Sequence, residues 1–193
     1  MDNHMHNHKF TYSEEERRKR QNPESILTFM GLKEGMCFID SGCNDGFFTL
    51  PAARIVGETG KIYAIDIDRE AIDRLKAKLE NENIINTEVI VSASEDMFIH
   101  EGIADIIFFG TVLHDFYDPL KVLVNSRKML KENGFIYDYD WRKLKDKIGP
   151  PYKKRFSEKH VNELAAKAGL KIVSSYTLDN NYYAITLKHP NQL

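Results

Sequence analysis

Two cysteines, Cys37 and Cys43, are all that the 193 residues contain. They are too few for a disulfide framework, and two thiols alone do not make a zinc site. A reducing, cytoplasmic compartment is therefore the expectation. Neither sign of charge dominates: 27 Lys and Arg stand against 29 Asp and Glu, a formal net charge of −2. That near-balance gives no bulk electrostatic reason to expect nucleic acid or an anionic membrane as partner. Long apolar runs are missing as well. None approaches the roughly 18–20 residues of a membrane span, and the polar N-terminus lacks the apolar core of a signal peptide. No repeat of solenoid period is visible. What remains, 42% hydrophobic and 29% charged, is an ordinary globular composition at a length that suits one domain.

Residues 1–22 stand apart from residues 23–193. They carry His4, His6 and His8 and then the charged run Glu14 to Arg20, which reads as a flexible start followed by a short polar helix. The three histidines alternate in a mobile stretch, so no functional metal is expected there. From Asn22 onward two periodicities take turns. Met36 to Asp40 and Lys61 to Asp66 are short apolar strands that each end on an acid. Glu88 to Val91, Ala104 to Phe109 and Phe135 to Tyr139 supply three more. The nearly continuous apolar runs among them suit parallel strands covered on both faces. Between them lie helical patterns: Phe47 to Val56; the stretch after Asp68, with Ala71, Ile72, Leu75 and Leu79 on one face; and the stretch from Asp118-Pro119 to a stop at Asn133-Gly134. Ser157 opens a last helix that closes at Gly169. Leu170 to Tyr176 and Tyr182 to Leu187 then flank an L-D-N-N turn, an antiparallel hairpin. The alternation predicts a doubly wound α/β sheet, with the hairpin adding an antiparallel strand.

In such sheets a ligand sits at the carboxyl ends of the strands, beside the first one. Here that strand runs into Asp40-Ser41-Gly42-Cys43-Asn44-Asp45-Gly46. Gly42 and Gly46 allow a tight turn and a close approach to a ligand, and Asn44 tolerates a left-handed conformation. Asp66 ends the second strand 20 positions beyond Gly46, where an acid that binds ribose hydroxyls is expected. A tight turn plus a helix-capping acid is the plainer alternative, but two features at matching strand ends favour a nucleoside site. The loop's acids Asp40 and Asp45 repel a pyrophosphate and suit a ligand that carries an ammonium and a sulfonium. S-adenosylmethionine is favoured over NAD.

The D-S-G-C-N-D-G loop followed by Y-A-I-D-I-D resembles the first two motifs of class I S-adenosylmethionine-dependent methyltransferases. T-V-L-H-D-F-Y-D-P, M-L-K-E-N-G and the terminal hairpin extend that likeness over most of the chain. R-R-K-R-Q-N-P-E and D-W-R-K…G-P-P look like a bacterial and archaeal branch of the ubiquinone/menaquinone type. The resemblance implies a Rossmann-like seven-stranded sheet of order 3-2-1-4-5-7-6 with the last strand antiparallel, under an N-terminal helical cover. It also implies site roles. Asp40 would hold the methionine ammonium, directly or through water. Gly42, Asn44 and Gly46 would form the loop along methionine and ribose, and Asp66 would take both ribose hydroxyls. Ile67 would pack on adenine, while Gly110 and Thr111 would lie under the methionine end. The chain departs at Ala93, where many members place an acid for the adenine amino group. Ser94, Glu95 or Asp96 are the candidates to replace it.

Methyl transfer is an in-line displacement that needs alignment and a dry site, and a base only when the acceptor must lose a proton. His114 and Asp115, just after the fourth strand, are the candidate catalytic pair, with His114 as the possible base. A histidine that only packs, beside an acid that opens a helix, is the structural alternative. Strand alternation places Asp138 and Asp140 on one face and Tyr137, Tyr139 and Trp141 on the other, either the second wall of an acceptor pocket or a tyrosine-rich strand end that fills the core. Gly149-Pro150-Pro151 is a stiff connector that reads as a linker or a lid. With little chain left beyond the core, a small-molecule acceptor is expected. A protein or RNA acceptor, a non-catalytic S-adenosylmethionine-binding subunit and a nicotinamide-dependent reductase are the alternatives.

Overall fold

A computed structural model describes residues 14–146 and 148–192, so His4, His6 and His8 lie outside the described residues. The strands are β1 Cys37–Ser41, β2 Lys61–Asp66, β3 Thr87–Val91, β4 Ala104–Gly110, β5 Leu130–Trp141, β6 Lys171–Leu178 and β7 Tyr182–Lys188. They form one sheet of order β3-β2-β1-β4-β5-β7-β6. β7 runs antiparallel to both β5 and β6 while the remaining pairs are parallel. The predicted order and the reversed last strand are both borne out.

The helices are α1 Glu14–Arg20, α2 Pro23–Phe29, α3 Thr49–Val56, α4 Arg69–Asn81, α5 Pro119–Met129 and α6 Glu158–Lys167. Their starts follow local chemistry. The side chains of Asn22, Asp68, Asp118 and Ser157 each accept a backbone N–H at a helix N-terminus, and proline follows Asn22 and Asp118 directly. The sheet divides the apolar interior in two. Phe38, Ile62, Phe108 and Tyr139 pack with α2, α3 and α4 on one face. Ile39, Ile65, Ile107 and Phe109 pack with α5 and α6 on the other. Burying each such side chain contributes about 1.5–3 kcal/mol. As expected, Asp138 and Asp140 leave β5 on the face opposite Tyr137, Tyr139 and Trp141.

One boundary differs. The helix expected to run to Asn133-Gly134 ends at Met129, and β5 already begins at Leu130. Leu130 pairs with Ala104 and Phe135 with Ile106, so the intervening residues bulge out of the ladder. At Gly134 a Cβ would stand 2.6 Å from the Ala104 carbonyl oxygen, which is why glycine sits there. The Lys131 ammonium fixes the bulge on Asp105 at 2.6 Å.

The segment between β5 and α6 is held by a buried arginine. Arg155 is 1% exposed, and its guanidinium donates to the carbonyls of Pro150, Arg142 and Leu144 and to the Asp146 carboxylate. It also meets the Ile148 carbonyl and stacks over Trp141. Gly149 lies so close to the Trp141 ring that a Cβ there would sit 2.7 Å away. Gly149 and Pro150 are thus held against Trp141 and Arg155, while Pro151 is exposed. Arg155→Leu leaves these carbonyls and Asp146 unpaired, and we expect it to cost at least about 3 kcal/mol in urea unfolding. A loss under about 1 kcal/mol would show that the segment does not depend on this cation.

Candidate functional site

At the carboxyl ends of β1, β2 and β4 the chain leaves a cleft of about 960 Å³. Its floor begins with the loop after β1. Gly42 and Cys43 donate their amides to the Ile65 carbonyl at 2.8 and 3.0 Å, which draws the loop against the end of β2. Gly42 has φ +82°, and a Cβ there would stand 2.6 Å from the Val112 side chain. Two strand ends therefore meet with no room for a side chain. Asn44 adopts φ +48°, the left-handed state expected of it.

The Asp66 carboxylate is fixed on both oxygens. One accepts the Asn44 amide at 2.8 Å and the other the Asp68 amide at 2.9 Å. Each oxygen keeps lone-pair capacity for a further donor. Beyond the loop, Asp45 pairs with Lys78 of α4 at 2.9 Å. Arg17 of α1 stacks its guanidinium 3.9 Å over the Phe47 ring, and Glu14, Arg17 and Phe47 close one side of the cleft. The helical cover expected over the charged run Glu14 to Arg20 is thus in place, an acidic block followed by a basic one.

The far wall is made by the segment after β4. Thr111 has φ +60°, a strained value for a β-branched residue. Its amide donates to the Tyr139 carbonyl at 2.7 Å, which holds that conformation. Ser94 borders the cleft while accepting the Ser41 hydroxyl at 2.9 Å. Glu95 accepts the amides of Tyr117 and Asp118 at 2.7 and 3.1 Å, and Asp96 pairs with Lys121. Nine acidic residues border the cleft against Arg17, Arg74 and Lys121. A cation is favoured in that field and a pyrophosphate is not.

Of the residues singled out from the sequence, Gly42, Asn44, Asp66, Ile67, Ser94, Glu95, Gly110, Thr111 and Asp115 border the cleft. Three do not. Gly46 packs against α4, where a Cβ would stand 2.5 Å from Leu75. Asp40 is 1% exposed and accepts the Thr49 hydroxyl at 2.6 Å. Burial raises its pKa to about 7, the Thr49 bond opposing and the nearby Asp66 charge adding. His114 is buried, with Nδ1 2.8 Å from both Asp140 oxygens and Nε2 3.5 Å from Asp115. Burial alone would lower its pKa, but the two carboxylates outweigh that and raise it. Such a ring favours the imidazolium and is poorly suited to act as a base. Asp138, fully buried, is pushed well above the usual carboxylate range by burial first and by Asp140 second, so it is a neutral acid.

A cleft at the switch point of a 3-2-1-4-5-7-6 sheet, with an acid at the end of β2 and an acidic rim, defines a Rossmann-like site for a cationic nucleoside. Residues 32–185 match the family described as "Methyltransferase domain", and the chain belongs to it. It is 33% identical over 107 residues to a Sulfurisphaera tokodaii protein named as a probable cobalt-precorrin-6B C(15)-methyltransferase (decarboxylating). That match covers 54% of this chain and 53% of the relative. The demethylmenaquinone methyltransferase of Lactococcus lactis is 29% identical over 107 residues, covering 55% of this chain and 42% of that protein. The matches thus span about half the length of these relatives or less. A crystal structure of a SAM dependent methyltransferase from Aquifex aeolicus superposes with a TM-score of 0.81 at 26% identity, over 92% of this chain and 98% of that one. The cofactor of this family is S-adenosylmethionine, and the cleft's tight glycine turn, the acid at the end of β2 and the acidic rim fit it.

Asp40 provides a test of the buried electrostatics. Its proton leaves near pH 7 in the folded chain and near pH 4 in the unfolded one. Between those values the folded state holds the extra proton, so this group makes stability fall as pH rises. Asp40→Asn removes that loss. We expect it to gain roughly 2–3 kcal/mol relative to the parent between pH 5 and pH 8 in urea unfolding. Parallel curves would show Asp40 to be ionised throughout.

Proposed function

We propose that the protein transfers the methyl group of S-adenosylmethionine to a small-molecule acceptor, and that the cleft above Asp66 holds the cofactor. The observation that carries this is the Asp66 carboxylate, pinned by two backbone amides at the switch point inside a ring of acids. When bound, the cofactor supplies an electrophilic methyl group on a positively charged sulfur. The chain's part is to bind, align and exclude water.

In this reading Asp66 takes the ribose hydroxyls and Ile67, 60% exposed at the rim, covers adenine. Ser94 and Glu95 border the adenine edge in place of the acid absent at Ala93. Asn44 shapes the ribose side, while Gly42, Gly110 and Thr111 lie along the methionine end. Asp40 acts from behind the wall, where an ammonium in the cleft favours its ionised form. Gly46 serves by letting the loop close on α4. A small acceptor is supported by α1, which narrows the entrance with Glu14 and Arg17. The acidic rim opposes a phosphate-rich acceptor such as RNA. Among the described residues no helix is long and apolar enough to cross a membrane.

Titration calorimetry with S-adenosylhomocysteine and with NAD(H) tests the assignment. We expect micromolar binding of the former alone, and a loss of tenfold or more in Asp66→Ala, which removes two charge-assisted bonds. Equal affinity of Asp66→Ala and the parent would remove the ribose from this acid, and binding of NAD(H) alone would reject the cofactor.

A further inference from the structure

We propose that Asp115 faces the nucleophilic atom of the acceptor and takes its proton, and that Lys154 occupies this carboxylate until the acceptor displaces it. The proposal rests on the methyl-transfer reading above and adds to it the class of acceptor.

Asp115 borders the cleft beside Thr111 and Phe116, its side chain 25% exposed. Two basic side chains meet it, one at each oxygen. His114 Nε2 lies 3.5 Å from Oδ2, and Lys154 Nζ lies 3.3 Å from Oδ1. His114 in turn is clamped by Asp140, the two side chains being 2% and 1% exposed. The charged groups that face His114 are therefore Asp140, Asp115 and the more distant Lys154. A ring held this way by two carboxylates cannot turn toward the cleft. His114 and Asp140 are positioning residues, and Asp115 is the end of the file that reaches the acceptor.

Lys154 follows from the wall on which it stands. Its neighbour Arg155 is buried among main-chain carbonyls, which fixes the backbone, while the Lys154 side chain itself is 44% exposed. An ammonium close to a carboxylate lowers its basicity. An acceptor X–H that displaces Lys154 therefore takes the ammonium's place on a carboxylate oxygen just when a proton must be taken. The step balances. X bonds to the methyl carbon, the carbon–sulfur pair returns to sulfur to leave the neutral thioether, and the proton on X passes to Asp115. The acceptor is accordingly one whose nucleophilic atom carries a proton that must leave, as in a hydroxyl, a thiol, a primary or secondary amine or an acidic carbon, rather than a thioether or tertiary amine.

Two ligands test this without the acceptor: S-adenosylhomocysteine, and sinefungin, which carries an amine-bearing carbon in place of the sulfonium methyl. In calorimetry on the full chain, the ratio of sinefungin to S-adenosylhomocysteine affinity falls tenfold or more in Asp115→Asn. It rises about threefold in Lys154→Met, where the competing ammonium is gone. In Asp140→Asn the ¹⁵N titration of the His114 ring moves to lower pH. A ratio unmoved by Asp115→Asn, or lowered by Lys154→Met, overturns the proposal, as does an unmoved His114 midpoint. S-adenosylhomocysteine binding reports that each variant is folded. Should Asp115→Asn bind neither ligand, Asp115→Glu carries the comparison: a ratio within threefold of the parent supports the proposal and a tenfold fall refutes it. A parent chain that binds neither ligand refutes the methyltransferase reading itself.

Discussion

Asp66 accepts the amide of Asn44 on one carboxylate oxygen and that of Asp68 on the other. Through the first bond it sets the left-handed turn of the loop after β1. Through the second it sets the entry to α4, whose cap is Asp68 itself. A charge-assisted bond of this kind contributes about 1.5–3 kcal/mol and, more to the point, fixes direction. The floor of the cleft, the start of α4 and the orientation of the Asp66 carboxylate are therefore one arrangement. Gly42 completes it from the other side, since its missing Cβ is the only reason Val112 can come so near. The site is preorganised by main-chain bonds that a ligand need not create.

Much of this was legible in the residues because it follows from period and from chain ends. Apolar runs ending on Asp40 and Asp66 gave both the strands and the switch point, and Pro119 behind Asp118 gave a helix start. What escaped the sequence depends on contacts between distant residues. Arg155 sits in the run Lys153-Lys154-Arg155, which looks solvated, yet it closes the inside of a loop whose carbonyls only the fold brings together. Gly46 and Gly42 share one motif, but Leu75 claims the first and Val112 the second. The early end of α5 came from Leu130 pairing with Ala104, a tertiary preference that overrode the Asn-Gly stop. His114 looked like a base because a lone histidine after β4 has the right chemistry. Only the positions of Asp140 and Asp115 show that two carboxylates hold it in place and raise its pKa.

The buried charges on the two faces of the sheet behave differently for one reason. Asp40, on the side of α3, has Thr49 as its hydrogen-bond donor and Arg17 as a more distant cation, so burial dominates and its carboxyl holds a proton up to about pH 7. Asp140, on the side of α6, has the His114 ring at 2.8 Å. Asp138 next to it is held well above the usual carboxylate range by burial first and by Asp140 second. The two acids of β5 thus differ in that the histidine meets only one of them.

The same segment explains why a threonine tolerates a left-handed backbone at position 111. Strain of that kind costs on the order of 1–3 kcal/mol and survives only where the surroundings over-determine it. Here the Tyr139 carbonyl takes the Thr111 amide, and the short turn Leu113–Asp115 follows at once. In an extended conformation the chain after β4 would continue past the sheet. The left-handed residue turns it back, so that His114 points into the protein and Asp115 borders the cleft. One strained peptide thereby sends two adjacent residues in different directions, His114 into the protein and Asp115 to the cleft wall, the division on which a proton-accepting role for Asp115 depends.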